Sequence, residues 1–269
     1  MLIVNFLSMF IINKIIQIFF LLTTIVFFNL TNVNANSNDS NVDKMHFSFD
    51  GVFGMIDKAS ARRGLQVYTE ICSGCHSLKH VSYRNLSGIG FSSDQIKSFA
   101  SQYEVLADPD SEGEVTMRPA LPSDRFISPY KNSNQAKYMN NGAIPPDLSL
   151  VVKARAGAAS YFYSLLNGYK EDPENFDSSN GYYNEAYPGH IIAMPQPLYG
   201  EDVEYLDGTE ATLEQEVMDL ISFLTWTGQP ELNERKSMGF RVFLFLIFMT
   251  TILFISYKKI WKRVKAGLI

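Results

Sequence analysis

The chain has 269 residues, of which 46% are hydrophobic and 19% are charged, an ordinary balance for one or two globular domains. Its formal net charge of −5 is unevenly distributed, because all 28 acidic residues but only 16 of the 23 Lys and Arg lie between Asn36 and Met238. That central segment therefore carries a net charge of −12, which argues against nucleic acid as a partner and favours a basic protein.

The first 35 residues have the pattern of a signal peptide. An apolar run from Ile15 to Leu30 is followed by Val33-Asn34-Ala35, whose small final residue is typical of a cleavage site. We expect cleavage after Ala35; the alternative is a retained membrane anchor, and both carry the following segment across a membrane. Because no arginine precedes Arg62, a bacterial periplasm is expected rather than a mitochondrial intermembrane space. A start at Met9 would give a more usual leader.

The polar centre of the chain predicts helices separated by long loops. Apolar residues recur at helical spacing in four segments, and Thr212 with Gln215 forms a capping pattern before the last of them. Gly64, inside the first, is expected to permit a close crossing of two helices. Segments 108–146 and 168–208 are rich in turn-forming residues and predict ordered loops. The predicted helices are Ala59–Ile71, Asp94–Ala107, Leu148–Leu166 and Leu213–Gly228.

The C-terminal part of the chain predicts one transmembrane helix. Residues 242–257 carry no charge, and residues 238–241 extend them to the roughly 20 residues that span a bilayer, if Arg241 reaches the interface. Five cations follow, which is typical of the cytoplasmic side and unsuitable for the alternative, a buried core helix. The expected order is a signal peptide (1–35), an exported domain (36–238), a transmembrane helix (239–257) and a basic cytoplasmic tail (258–269).

Both cysteines of the chain lie in one motif, Cys72-Ser73-Gly74-Cys75-His76. Two thiols at this spacing can each add to one vinyl group of a haem, and His76 is then placed under the iron as an axial ligand. One alternative is a thioredoxin-like dithiol, which needs a strand–helix–strand context that the flanking sequence does not show. A zinc site is the other alternative, but a second pair of ligands at the usual spacing is missing. The motif therefore predicts one covalently attached haem c.

An electron-transfer haem also needs a sixth iron ligand. Of the ten methionines, most lie in the leader, in the membrane segment, in the late helix or before the motif, which leaves Met117, Met139 and Met194. Met194 is favoured because it follows a turn and precedes Pro195, which stiffens the loop that presents the sulfur. The remaining alternatives are histidines, namely His46, His80 and His190.

The chain resembles the cytochrome c1 family over nearly the whole of its expected mature length. A CxxCH motif alone indicates only a c-type haem, whereas the string from Asn141 to Ser149 (NGAIPPDLS), followed by the late Ala193-Met194, is far more specific. The pair of additional cysteines found in some bacterial members is absent. Further landmarks are Met117-Arg118-Pro119, Ala154-Arg155, Tyr161, Ser164-Leu165-Leu166, Gly168-Tyr169 and Tyr187-Pro188-Gly189.

This resemblance implies a mainly α fold, in which a c-type cytochrome domain with long loop insertions is followed by one C-terminal transmembrane helix. It implies one haem c attached through Cys72 and Cys75, with His76 and Met194 as iron ligands. Two further groups of residues are implied to contact the haem. The propionate contacts are Arg155 and Tyr161, and the residues lining the pocket are Asn141, Pro145 and Pro146.

The resemblance also implies a place in the ubiquinol–cytochrome c reductase (bc1) complex of a bacterial inner membrane, the alternative being the mitochondrial inner membrane. The chain would pass electrons from the Rieske iron–sulfur protein to a basic cytochrome c, beside cytochrome b and in a dimeric complex, without making bonds itself. Acidic clusters at 104–114, 171–177 and 201–210 are expected to steer that cytochrome c. The alternatives are an exported peroxidase-like haem enzyme and a ligand-sensing cytochrome, both with an open sixth position.

Overall fold

The computed structural model describes residues 42, 44–109, 111–154, 157–174 and 176–267, so the predicted signal peptide and Arg155 lie outside the described residues. The described chain is mainly helical, as predicted. Its α-helices are α1 (Lys58–Glu70), α2 (Ser93–Ala100), α3 (Ser133–Met139), α4 (Ala158–Asn167), α5 (Leu213–Gly228) and α6 (Leu232–Lys265). Short 3₁₀ helices cover Cys72–Gly74, Tyr83–Ile89, Val151–Lys153 and Ser178–Asn180. Two antiparallel ribbons pair β1 (Glu104–Leu106) with β2 (Met117–Pro119), and β3 (Tyr182–Tyr183) with β4 (Ile191–Ile192).

The crossing of α1 and α5 lies at the centre of the domain, and both helices contribute to its main hydrophobic core. Gly64 in α1 makes this crossing possible, because a Cβ at that position would overlap the carbonyl oxygen of Asp219 and lie 2.7 Å from Cβ of Phe223. The backbones of the two helices are therefore in direct contact. This confirms the close crossing that the glycine predicted.

An ion pair joins the same two helices. The Arg63 guanidinium donates from Nε to Oδ2 of Asp219 at 2.7 Å and from Nη2 to Oδ1 at 3.0 Å. Its Nη1 donates to Asp207 at 2.9 Å. Because the Asp219 side chain is fully buried, the two-pronged contact satisfies a carboxylate that would otherwise be very costly to bury.

The segment after the first 3₁₀ turns differs from the prediction. α2 ends at Ala100 instead of continuing to residue 107. The reason is that β1 pairs with β2, and the Ala120 amide donates to the Tyr103 carbonyl at 2.8 Å. The predicted loop 108–146 contains β2 and the helix α3, whose cap Asn132 accepts from the Gln135 amide at 2.9 Å. A sequence-distant pairing and a missed helix cap explain these two differences.

The predicted helix Leu148–Leu166 is also interrupted. Its first residues, Leu148 and Ser149, bond to the chain that follows the CxxCH motif, a 3₁₀ turn follows, and α4 begins only after Gly157, which has a φ of 68°. The late helix α5 instead has the predicted bounds, Leu213–Gly228, and Oγ1 of Thr212 accepts from the Gln215 amide at 3.2 Å.

The last helix, α6, has 34 residues, and its most apolar 18-residue window has a mean hydropathy of 2.3. It is the one helix among the described residues that is long and apolar enough to cross a membrane. The predicted spanning segment lies wholly within it. At 1.5 Å per residue the helix is about 50 Å long, which exceeds the roughly 30 Å of a bilayer core.

Candidate haem site

The CxxCH motif is wound into a tight turn directly after α1. The amides of Cys75 and His76 both donate to the Cys72 carbonyl, at 3.1 and 2.8 Å, and Ser73 Oγ donates to the Thr69 carbonyl at 2.7 Å. Positions 72, 75 and 76 are thereby brought to one side of the turn. Both cysteines are free thiols, which is the state needed for addition to a porphyrin.

The imidazole of His76 is oriented by a carbonyl group. Its Nδ1 lies 2.8 Å from the carbonyl oxygen of Pro146, and because that oxygen can only accept, Nδ1 must carry the proton. The lone pair is then on Nε2, the nitrogen that is left to bind a metal. Burial lowers the pKa of His76, with the Pro146 carbonyl and Asp147 acting in the opposite direction, so the neutral, ligating form is favoured.

Asp147 fastens the segment that carries Pro146 to the chain after the motif. Its carboxylate accepts from Ser77 Oγ and the Lys79 amide, both at 2.8 Å, and from the Ser149 amide at 2.9 Å. Burial acts to raise the pKa of Asp147, but these hydrogen bonds outweigh it and the pKa falls below its usual value. The ionised Asp147 thus holds in place the carbonyl that orients His76.

Tyr68 of α1 supports His76 from the core side. Its hydroxyl donates to the His76 carbonyl at 2.8 Å, and its ring, 1% exposed, packs against Phe126 and Phe223. The backbone of the candidate ligand is therefore tied to the crossing of α1 and α5.

The ionisation of Cys72 argues against a redox dithiol. Burial, followed by the effect of Cys75, raises the pKa of the Cys72 thiol to about 12. Reactive cysteines of thioredoxin-like sites instead have lowered pKa values, because the thiolate is the nucleophile. Among the residues that the structure describes, no group of three or more Cys, His, Asp or Glu gathers to form a metal site.

Met194 lies half-buried in the loop after β4 and packs against two clusters. One is the main core, against which Cys72 also packs. The other is a small cluster formed by Tyr161, Leu165 and Ile192. Tyr169 holds the loop, since its hydroxyl donates to the Met194 carbonyl at 3.0 Å.

The other candidates for the sixth ligand are more exposed or face elsewhere. Met117 in β2 is 54% exposed and Met139 at the end of α3 is 63% exposed, whereas a thioether ligand needs apolar cover. His46 and His80 are exposed, and Nδ1 of His190 faces the Asn184 carbonyl at 3.4 Å. Met194 thus stays the predicted ligand.

The structure places several of the remaining predicted residues near His76 or Met194. Tyr161 is buried in the small cluster against which Met194 packs. Pro146 touches His76, and the half-buried Pro145 precedes it. Asn141 is exposed, with a φ of 49°, in the turn after α3; its contact with a haem stays a prediction.

Tyr130 lies between the turn after α3 and the motif. Nδ2 of Asn140, the neighbour of Asn141, donates to the Tyr130 hydroxyl at 2.9 Å, and that hydroxyl contacts the Cys75 thiol. The sequence alone did not indicate four residues as supports of the site, namely Tyr68, Tyr130, Asp147 and Tyr169. Only Asp147 and Tyr169 had a signal, because both stand in the strings that carry the family resemblance.

These residues fit a c-type haem. The donor set consists of two unpaired thiols and one imidazole whose Nδ1 is already committed, together with a half-buried thioether. Such a set, on a helical domain followed by an apolar helix, is that of a cytochrome.

Comparison with known proteins identifies the family. The cytochrome C1 family model matches residues 47–264, and the chain belongs to this family. It is 41% identical over 249 residues to cytochrome c1 of Rhodospirillum rubrum, covering 86% of this chain and 91% of that protein. It is 42% identical over 219 residues to a mitochondrial heme protein, cytochrome c1 1 of Arabidopsis thaliana, covering 81% and 71%. A Bradyrhizobium diazoefficiens protein named cytochrome b/c1 is 37% identical over 256 residues, covering 87% of this chain and 37% of its own length.

Removing the hydroxyl of Tyr169 should loosen the Met194 loop. In a Tyr169→Phe variant the Met194 carbonyl loses its donor, at a cost of about 1 kcal/mol. We expect imidazole added to the oxidised protein to displace the sixth ligand at a roughly fivefold lower concentration, as read from the absorption spectrum. Tyr199→Phe, at a tyrosine that is 69% exposed, is the control. An unchanged imidazole titration of Tyr169→Phe would contradict this role.

Proposed function

We propose that this chain is the haem subunit of a membrane-bound ubiquinol–cytochrome c reductase. In this role it takes electrons from the Rieske iron–sulfur protein and delivers them to a cytochrome c. The observation that carries the proposal is the fixed tautomer of His76 directly after two free thiols, in a chain of the cytochrome c1 family. Partnership with cytochrome b is supported by the relative whose name joins cytochromes b and c1.

In this proposal Cys72 and Cys75 would hold the haem through two thioether bonds, and His76 Nε2 and Met194 Sδ would bind its iron. The bound haem supplies a centre that gains and loses one electron. The chain positions that centre: Pro146 fixes the plane of the His76 ring, and Tyr169 holds the Met194 loop.

The choice of axial ligands fits an acceptor late in a respiratory chain. A methionine sulfur in place of a second histidine raises the reduction potential of a haem. The site can then accept an electron from a high-potential iron–sulfur centre. The half-buried positions of Cys72 and Met194 act in the same direction, because an apolar environment disfavours the additional charge of oxidised iron.

The proposed setting is a bacterial inner membrane, with the haem domain in the periplasm and α6 as the single span. The basic residues at the end of α6, among them Lys262, Arg263 and Lys265, support a cytoplasmic C-terminus, because cations are enriched on that side.

The experiment that tests this function is purification of the intact complex through a tag on this chain. We expect cytochrome b and the Rieske protein to co-purify, and the complex to reduce cytochrome c when a ubiquinol is added. A His76→Ala variant should lack this activity. Recovery of the haem-loaded chain without either partner, or quinol oxidation that does not depend on this chain, would contradict the proposal.

The second acidic cluster supports a basic cytochrome c as the electron acceptor. Glu171, Asp172 and Glu174 are exposed, and none of them takes part in the ion pairs found among the described residues. Glu171 is two residues from Tyr169, whose hydroxyl bonds to Met194, so its Cα lies within about 7 Å of the Tyr169 Cα. The third cluster has a different role in part, since Asp207 is paired with Arg63.

Neutralising this second cluster should slow the encounter with cytochrome c. We expect Glu171→Gln with Glu174→Gln to lower the association rate and to flatten its dependence on salt, because steering acts within a Debye length of ~8 Å at physiological salt. The matched control is Glu231→Gln with Glu234→Gln, which removes two charges at the start of α6. Stopped-flow oxidation of the reduced haem across a salt series measures both. A rate that is flat in salt for the unmutated protein would contradict the steering role.

A further inference from the structure

The loop formed by residues 47–55 has a buried base and an exposed apolar tip. At the base, Phe47 and Phe49 are 7% and 8% exposed, and their rings stack at 5.0 Å. At the tip, Val52 and Phe53 are 77% and 74% exposed. An ordered loop that presents two large apolar side chains together is unfavourable in water.

Two side chains from the first turns of α6 clamp this loop. Asn233 accepts from the Ile56 amide at 2.8 Å and donates to the Ile56 carbonyl at 3.0 Å. Lys236 Nζ donates to the carbonyls of Phe49, Gly51 and Gly54 at 2.7, 2.6 and 2.8 Å. All three protons of the ammonium group are thereby used by backbone of the loop.

The tip of the loop lies against the beginning of the apolar part of α6. The Phe53 and Phe240 rings meet edge to face, with centroids 5.7 Å apart and an interplanar angle of 72°. Asn233, Lys236 and Phe240 are spaced i, i+3 and i+7, so that one face of the helix makes all of these contacts.

The length of the apolar stretch sets the depth of the tip. From Phe240 to Lys258 the helix rises about 27 Å, close to the roughly 30 Å of a bilayer core. If Lys258, the first cation of the basic end, lies at one boundary of the hydrocarbon, Phe240 lies at the other. Phe53, in contact with Phe240, is then at the same depth. Lys236, which is bound to the backbone of the loop, lies one helical turn further from the membrane centre.

We propose that the tip of this loop, Val52 and Phe53, inserts into the outer interfacial layer of the lipid bilayer. The inference rests on the membrane span of the proposed function. Lipid is the occupant because the tip is continuous with apolar residues of α6 that are themselves exposed, such as Phe240 and Phe243. With the tip in lipid and Lys236 and Asn233 as a clamp, the loop fixes the height and tilt of the haem domain above the membrane.

Photo-crosslinking in native membranes tests this contact. The photoreactive analogue p-benzoylphenylalanine replaces Phe53, Phe245 within the expected span, or Tyr138, which is 87% exposed on α3. After irradiation, adducts are identified by mass spectrometry of the labelled peptides from the purified full-length chain. We expect phospholipid adducts at positions 53 and 245, and none at position 138.

The three positions separate failure of the inference from failure of the membrane span. Lipid adducts at 245 with none at 53, or with protein adducts alone at 53, would overturn the inference and leave the span intact. A lack of lipid adducts at both positions would overturn the span as well. Lys236→Met should reduce the lipid adduct at position 53 several-fold without changing that at 245. An equal yield in this variant would show that the clamp does not set the position of the loop.

Discussion

Met194→Leu should lower the reduction potential of the haem by more than about 100 mV, a modest part of the roughly 0.8 V over which axial ligands tune haem proteins. Leucine has a similar volume to methionine, so that the packing against the two clusters is largely kept while the sulfur is lost. Cys72 and Cys75 are untouched, and the haem should stay covalently attached. A redox titration followed by absorption measures the potential and, in the same samples, the loss of the sixth ligand.

Two further methionines serve as controls for this variant. Met117→Leu and Met139→Leu remove a thioether from exposed positions, and we expect neither to change the potential or the spectrum. If Met194→Leu also left both unchanged, its assignment as the ligand would be wrong. A haem with an open sixth position in the unmutated protein would instead favour the haem-enzyme alternative.

Gly64→Ala should strongly destabilise the domain. The added methyl group would collide with the Asp219 carbonyl oxygen and with Cβ of Phe223. Neither atom is the far end of a flexible side chain, so neither can move without moving α5. α1 and α5 would have to move apart, which costs about 3 kcal/mol as overpacking and lowers the melting temperature by roughly 10 °C for a domain of this size.

Gly228→Ala is the matched control, because it makes the same change at the end of α5. There a Cβ would make only ordinary van der Waals contacts, with the Lys153 side chain at 3.5 Å and the Ser149 carbonyl oxygen at 3.8 Å, and alanine is the better helix former. Thermal unfolding of the haem-loaded proteins, followed by circular dichroism, should show a large decrease only for Gly64→Ala. Equal melting temperatures for the two variants would mean that the crossing is less tightly packed than the structure indicates.

The parts of the fold that the sequence predicted are those with local signals. α1 and α5 have apolar periodicity, and α5 also has Thr212 as a cap. The extension of α2 into β1 was wrong because the partner of β1 lies more than ten residues away, and propensity contains no information about that pairing. α3 was missed because the composition of its surroundings outweighed the cap at Asn132.

The surface charge of the domain could not be obtained from the sequence alone. The net charge of the central segment counts all of its acids alike, yet Glu216 and Asp219 are fully buried. One oxygen of Glu216 accepts from the amides of Asp202 and Val203, and burial raises the pKa of this carboxyl to about 7. The surface of the domain is therefore less negative than the charge count indicates, and the steering proposed above rests on the exposed clusters alone.

The site was predictable in its donors but not in their supports. Covalent attachment needs two thiols and a histidine at fixed spacing, and that requirement is visible in a single string. The Pro146 carbonyl that fixes the tautomer of His76 is 70 residues away in sequence, and the Tyr169 hydroxyl is 25 residues from Met194. Such long-range hydrogen bonds depend on tertiary packing, so the structure was needed to identify them.

The claim on which the account depends most is that this chain carries one covalent haem. The intact mass of the mature protein, purified from membranes and denatured, tests it directly. We expect the mass of one haem to stay on the denatured polypeptide, with the added mass on the peptide that contains Cys72 and Cys75. A chain that loses its haem on denaturation, or that carries none, would contradict the account.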